Sequence, residues 1–206
     1  LTGQGRAFCG GLDLLQASSL PKEELGRFVD AFDACFERVF SLPVPVVAAV
    51  NGHALAGGCI LAMAADYRIM TSGPFLIGIN EVLLGIPFPA AAYEIARHAL
   101  PIAAQREAFA GKRFTPEEAF RLGLVHRLAS EAGVVADAIE EARLLSAGRA
   151  EALRDVKGDL VAPVLASIAA TREIKRSRFL ERWLGAEAQK RIGALRDELS
   201  KKRAAK

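Results

Sequence analysis

Between positions 21 and 40, apolar residues recur at Leu25, Phe28, Val29, Phe32, Phe36 and Val39, the i, i+3, i+4 spacing of one helix face. Pro21 suits the first turn of that helix and Ser19 its cap. Pro43-Val44-Pro45 ends it, and the β-branched run 46–50 reads as a buried strand closed by the Asn51-Gly52 turn. Gly57-Gly58 opens a helix of small residues reaching position 65. Short strands are predicted at 67–70 and 75–77, and an apolar stretch at 83–86 runs into Pro87-Phe88-Pro89. Helical patterns follow at roughly 89–99, 102–110, 116–121, 131–147, 151–169 and 171–199. Thr115-Pro116-Glu117-Glu118 carries a cap, a proline at the first helical position and acids in the first turn. Positions 123–125 read as a short returning strand, and Leu1-Thr2-Gly3 as a strand end entering a loop.

Strands concentrate early and helices late, so the expected class is α/β, with a core over 1–130 and a helical region over 131–206. The 206 residues suffice for one large domain, and 51% hydrophobic with 25% charged content is ordinary for a globular chain. No apolar run reaches membrane-spanning length and no charged-then-apolar leader is present, so the reading is cytoplasmic with no membrane partner. The chain starts without methionine in what reads as a strand end, and the expectation is that part of the core lies upstream. Lys201 to Lys206 are expected to be disordered.

Charge is uneven. Residues 1–100 hold six Lys/Arg against nine Asp/Glu, a net of −3, so with +3 overall the remainder carries +6. A solvated basic helix face accounts for this, and a surface for phosphorylated ligands or RNA is the alternative. Cys9, Cys35 and Cys59 are odd in number and lack metal-type spacing, which fits a reducing compartment and buried thiols. Gly3-Gln4-Gly5 opens no helix with a third glycine, and no Gly-Lys-Ser/Thr occurs, so metal and nucleotide-phosphate chemistry have no support.

The chemistry lies in two loops and an acid. The first loop is Arg6-Ala7-Phe8-Cys9-Gly10-Gly11-Leu12-Asp13-Leu14, and the second is Asn51-Gly52-His53-Ala54-Leu55-Ala56-Gly57-Gly58-Cys59. Glycines in each let a ligand approach a main-chain N–H closely. Gly78-Ile79-Asn80-Glu81 then supplies a lone carboxylate with apolar sequence neighbours Val82, Leu83 and Leu84. Two amides aimed at one oxygen stabilise a thioester enolate, and one acid beside it moves protons.

These segments, together with Asp66-Tyr67-Arg68-Ile69, resemble the enoyl-CoA hydratase/isomerase (crotonase) superfamily, most of all its Δ3,Δ2-enoyl-CoA isomerase branch. The resemblance implies a spiral of ββα units with a helical C-terminal trimerisation region, assembly as a homotrimer or dimer of trimers, and an acyl-CoA thioester substrate. It implies no cofactor beyond the coenzyme A of the substrate, and no metal. Carried over residue by residue, the amides of Leu12 and Gly57 form the oxyanion hole and Glu81 carries the proton. Ala7, Cys9, Gly10, Gly11, Ile60 and Asn80 are the implied substrate-binding positions. Family hydratases have a second glutamate where this chain has Ile60, which favours isomerisation of a 3-enoyl-CoA to a 2-enoyl-CoA by a single-base 1,3-proton shift. Gly10 stands where the family usually has alanine. The basic residues near Lys175 resemble the place where C-terminal helices meet CoA phosphates.

Other readings are an enoyl-CoA hydratase using one carboxylate, and a non-catalytic acyl-CoA or RNA binding member. Asp13 reads as a brace for its own loop and Asn80 as either a substrate contact or a turn residue. Cys9 or Cys59 with His53 lacks an orienting third group for thiol chemistry. His98 and His126 read as helix-end or surface residues. Phe179, Trp183, Leu184, Ile192 and Leu195 give the C-terminal helices more apolar surface than a solvated tail needs, which is read as a subunit contact.

Overall fold

The computed structural model describes residues 1–204, with side chains through 201. The chain opens with β1 (Ala7–Cys9), α1 (Leu14–Ala17) and α2 (Lys22–Phe40), followed by β2 (Val47–Val50), β3 (His53–Leu55) and α3 (Gly57–Met63). Then come β4 (Tyr67–Thr71), β5 (Ile77–Gly78), one 3-10 turn (Glu81–Leu84) and α4 (Ala90–Ala99). The remainder is α5 (Ile102–Phe109), α6 (Pro116–Arg121), β6 (Arg127–Ala129), α7 (Val134–Leu145), α8 (Ala150–Leu184) and α9 (Ala186–Ala204).

Consecutive strands enter different sheets. β1, β3 and β5 form one parallel sheet, and β2, β4 and β6 a second. The chain therefore steps from sheet to sheet at Asn51-Gly52 instead of making a hairpin there. Asn51 fixes the step by accepting from the Gly3 N–H at 2.9 Å and donating to the Gly5 carbonyl at 3.1 Å. Two strands and a helix repeat as β2-β3-α3 and β4-β5-α4, the α/β spiral of ββα turns expected above.

All four residues of β2 are buried, because helices cover both faces of its sheet. Val47 and Ala49 pack with Ile69 against Val134 and Ala138 of α7, while Ala48 and Val50 enter the main core. In α2 the apolar stripe turns inward as its periodicity predicts, with Leu25, Val29 and Phe36 buried. Thr115 and Glu118 form a full capping box for α6, each side chain accepting from the other's N–H at 3.2 and 3.0 Å.

Several local expectations are corrected. Ser19 does not cap α2, because its hydroxyl turns back to the Gln16 carbonyl at 2.8 Å and Pro21 enters the helix without a side-chain cap. No strand forms at 123–125. Leu124 and Val125 are apolar because they are buried in a turn whose amides both bond the Ala119 carbonyl, and the strand begins at Arg127. The expected break near 170 is absent: α8 continues through Thr171, which donates to the Ser167 carbonyl, and ends at Gly185. Helix α9 runs to Ala204, so residues 201–204 are described as helical backbone, while 205 and 206 lie outside the described residues. His126 is no surface residue. Its Nδ1 accepts from the Arg68 N–H at 3.0 Å and its ring stacks on Tyr67, and burial, then Arg68, lower its pKa to about 4.

Three of the apolar residues first read as a subunit contact are spent inside the chain, while Leu184 is 41% exposed. Phe179, Trp183 and Ile192 are at most 2% exposed and cluster with Ala17, Leu25, Val29 and Ile86. Phe179, Trp183 and Ile192 are therefore core side chains and do not form a subunit contact. Helix α8 is fastened to α2 by Arg176 with Asp30 at 2.5 and 3.0 Å, and by Arg172 with Glu37.

One buried carboxyl organises the entry to α4. Pro89 gives that helix no side-chain cap. Asp33, 4% exposed on the inner face of α2, accepts from the Ala91 and Ala92 amides, both at 3.0 Å, and so caps α4 from another element. Burial raises its pKa against the pull of those two amides and of Arg172. Replacing Asp33 by Ala leaves both amides without an acceptor and is expected to cost about 2–3 kcal/mol. Urea unfolding at unchanged slope measures this, and a loss under about 0.5 kcal/mol would show that water caps α4 equally well.

Candidate active site

Only Ala56 separates β3 from α3, and it is the only non-glycine residue with positive φ among the described residues (φ 51°, ψ −128°). Such a conformation typically costs ~1–3 kcal/mol, and the surroundings enforce it. The Ala56 N–H donates to the Gly78 carbonyl at 2.9 Å, while its carbonyl accepts from Cys59 at 2.9 Å and Ile60 at 3.2 Å. Because the first helical bond starts at Ile60, the Gly57 and Gly58 amides precede the helical ladder, at the positive end of the helix dipole.

The first loop meets this juncture at van der Waals distance. A Cβ on Gly58 would sit 2.0 Å from the Cys9 carbonyl oxygen. A Cβ on Gly11, whose φ is +88°, would lie 3.1 Å from the Gly57 nitrogen. Asp13 braces the loop as expected, capping α1 by accepting from Leu15 at 2.9 Å and Gln16 at 3.4 Å. The backbones carrying Leu12 and Gly57 are thereby brought to one wall.

That wall belongs to a cavity of about 560 Å³. Gly10, Leu12, Gly57, Asn80 and Glu81 all line it. Ala7, Cys9, Gly11 and Ile60 do not. Ala7 pairs with His53 in the sheet, Cys9 presses on Gly58, Gly11 packs on the Ala56–Gly57 backbone, and Ile60 is fully buried in the core.

Glu81 opens the 3-10 turn that follows β5. Its Oε2 is enclosed with no hydrogen-bond partner, as is Oδ1 of Asn80. Ile79 and Ile86 nearby are buried. Burial raises the Glu81 pKa to about 7, opposed by the main-chain amides of Glu81 and Asn80. A carboxyl so poised gives and takes protons near neutrality. Burial first, and Glu81 second, push the Cys59 thiol up, which removes it as a nucleophile. His53 accepts from the Leu76 N–H at 3.1 Å through Nδ1 and stands against Phe75.

The periodicity of α2 identified Phe32 as inward-facing but not as a cavity residue. Phe179, Trp183, Leu195 and Leu199 line the cavity from α8 and α9, more than 90 residues along the chain from Glu81. Arg113 and Glu198 also border it. Nothing local in the sequence ties these residues to the two loops. Among the described residues no group of three or more His, Cys, Asp or Glu side chains could hold a metal, and no helix is long and apolar enough to cross a membrane.

The fold and cavity define an α/β protein in which residues of two glycine-bearing loops line one cavity with a carboxyl whose Oε2 is enclosed. The family model described as enoyl-CoA hydratase/isomerase matches residues 1–195, and the chain belongs to that family. It is 31% identical over 172 residues to enoyl-CoA delta isomerase 3 of Arabidopsis thaliana, covering 81% of this chain and 71% of that one. Similarity to the peroxisomal enoyl-CoA delta isomerase 2 of the same plant is 32% over 155 residues, 71% of this chain but only 65% of that relative's length. The solved human mitochondrial delta3-delta2-enoyl-CoA isomerase superposes with a TM-score of 0.91 at 25% identity, over 98% of this chain and 80% of that one.

The setting of Glu81 has a measurable consequence for stability. Its proton is held more tightly in the folded state (pKa about 7) than at the ordinary value of 4.5, so this contribution is full below pH 4.5. It is lost as pH rises from 4.5 to 7. The loss amounts to about 3 kcal/mol. Glu81→Gln abolishes it, so the variant should gain on the wild type by up to that amount between about pH 4 and pH 8, read from paired urea titrations. A difference constant across this range would show that Glu81 is not enclosed.

Proposed function

We propose that this protein converts a 3-enoyl-CoA to the 2-enoyl-CoA, with Glu81 as the only base. The observation that carries the reading is the enclosed Glu81 carboxyl, its pKa raised to about 7, in one cavity with Leu12 and Gly57. Delta isomerases among the relatives and the near-complete superposition on a solved isomerase support it.

The chemistry follows from charge development. Glu81 takes a proton from C2, and the electron pair left behind makes the thioester an enolate. Its oxygen is held by the Leu12 and Gly57 amides, each such donor typically worth ~3–4 kcal/mol. When the enolate collapses, C2 and C3 become doubly bonded and the C3–C4 pair takes the proton from Glu81 at C4. Atoms balance, and Glu81 returns to carboxylate. An apolar wall of Leu14, Leu84, Ile86 and Trp183 suits a medium or long acyl chain.

Turnover of 3-enoyl-CoA with product mass measured tests this. The product should be isobaric with the substrate, and Glu81→Gln should lose about a thousandfold or more in kcat/KM. Because the base must be ionised, kcat/KM should rise with pH through a midpoint near 7. Undiminished turnover in Glu81→Gln would refute the assignment.

Assembly as a homotrimer, or a dimer of trimers, is part of the same reading. Of the residues first read as a subunit contact Leu184 is exposed, and further exposed apolar side chains lie at Ile139 and Leu144 on α7 and Val156 and Leu160 on α8. Light scattering at micromolar concentration should return the mass of three or six chains, and a single-chain mass would exclude the assembly.

A further inference from the structure

A second cavity, of about 380 Å³, opens at the end of α3 remote from Gly57 and shares no lining residue with the Glu81 cavity. Its polar side chains are Asp66, Arg68, His98, His126 and Lys157. Arg68 is the buried charge among them, 4% exposed, and it makes no ion pair among the described residues. Its Nε and Nη1 donate to the Leu124 and Ala65 carbonyls at 2.7 and 2.8 Å. Burial lowers its pKa to about 10, so it stays charged near neutrality. Asp66 attracts it without bonding it, because Oδ2 of Asp66 accepts from Lys157 at 2.6 Å and from the Val46 N–H at 2.7 Å. A buried charge left unmatched in this way demands a partner. The ring of His126 adds to the demand. Burial and then Arg68 lower its pKa to about 4, so the ring is neutral and carries one proton. Its Nδ1 accepts from the Arg68 main-chain N–H at 3.0 Å, which leaves that proton on Nε2. Nε2 stands 3.2 Å from Arg68 Nη2, so an N–H of the ring faces an N–H of the guanidinium and neither can accept from the other. Moving the proton to Nδ1 only transfers the conflict to the main-chain amide. Two donors side by side at the wall of a cavity need an acceptor lying between them. His98 brings no charge near neutrality, since burial and then Arg68 and Arg97 lower its pKa too.

We propose that this pocket binds a small organic carboxylate, whose oxygens accept from Arg68 Nη2 and His126 Nε2 while its hydrocarbon tail lies against Phe40, Met63, Leu160 and Val161. A carboxylate brings the single negative charge that Arg68 lacks, and its paired oxygens suit two adjacent donors. A phosphate brings a second charge that finds no free cation. Lys157 is spent on Asp66 and on the Val44 carbonyl at 2.8 Å, and the Asp66 carboxylate repels further negative charge. The inference stands apart from the isomerase reading, because no residue of the Glu81 cavity takes part.

Butyrate titrated into the full chain labelled with nitrogen-15 histidine tests the site by nuclear magnetic resonance. The His126 ring should show a protonated Nε2 and a bare Nδ1 before any ligand is added. Butyrate should then move the Nε2 signal saturably, with a Kd of about 1 mM or tighter. Butan-1-ol, which has the same tail and no charge, and inorganic phosphate should each bind about tenfold more weakly or worse. In variants the Met63 methyl signal replaces the ring as the readout. His126→Asn keeps an acceptor for the Arg68 N–H but loses the outer donor, and should weaken butyrate by about tenfold. His126→Gln returns an amide N–H to the place of Nε2 and should stay within about threefold of wild type. No saturable change at His126 up to about 20 mM butyrate overturns the site, and butyrate taken up only by the Glu81 cavity gives that result. A response to butan-1-ol equal to that for butyrate, or tighter binding of phosphate, overturns the carboxylate assignment. Affinity undiminished in His126→Asn, or lost alike in both variants, overturns the role of the His126 donor.

Discussion

The site depends on backbone packed against backbone with no side chain between. β1, β3 and the start of α3 approach so closely that a single methyl on Gly58 would overlap the Cys9 carbonyl, 2.0 Å away. The same holds at Gly78, where a Cβ would lie 2.7 Å from the Lys112 carbonyl. Ala56 stands in its strained conformation at this juncture, and the first amides of α3 that follow it lie outside the helical ladder. The Gly57 and Gly58 amides outside that ladder are therefore products of strand packing.

A strained residue and an enclosed carboxyl both lower stability, so the fold has to recover it elsewhere. It does so away from the cavity, where α2, α4 and α8 are cross-linked by Asp33, Arg172 and Arg176. Arg68 is a second such brace. It is 4% exposed and donates from Nε to the Leu124 carbonyl at 2.7 Å and from Nη1 to the Ala65 carbonyl at 2.8 Å. The brace ties the end of α3 to the turn before β6. Asp33 and Arg68 each reach backbone on a distant segment, which holds chain ends without adding bulk to the core.

The features legible in the sequence are those whose causes are local. The helix at 22–40 follows from its apolar period, and the capping box at Thr115 from four adjacent residues. The two loops and Glu81 were recognisable because close backbone approach requires glycine at fixed positions. What escaped were consequences of folding across distance. Asp33 looks like any acid on an amphipathic helix until α4 arrives to be capped. Leu124 and Val125 have the composition of a strand, yet burial in a turn selects the same residues. Phe179 and Trp183 were misread as contacts between subunits because apolarity alone does not say whether the covering surface belongs to the same chain.

That last error exposes a division in how the cavity is built. The two loops and Glu81 that line the cavity come from residues 10–81, on elements tied together by sheet pairing. Much of the apolar wall comes from α8 and α9, which reach the cavity through side-chain packing on Ile86 and the α1–α2 region. Substitutions at Leu195 or Leu199 can reshape the space offered to a ligand without moving Ala56 or the 3-10 turn, because no backbone hydrogen bond joins α9 to either among the described residues. The tether from α9 to that turn is a side chain, Arg191, donating to the Leu83 carbonyl at 3.0 Å. The two parts of the cavity are thus held by different kinds of bond, the loop wall by main-chain geometry and the apolar wall by side-chain packing.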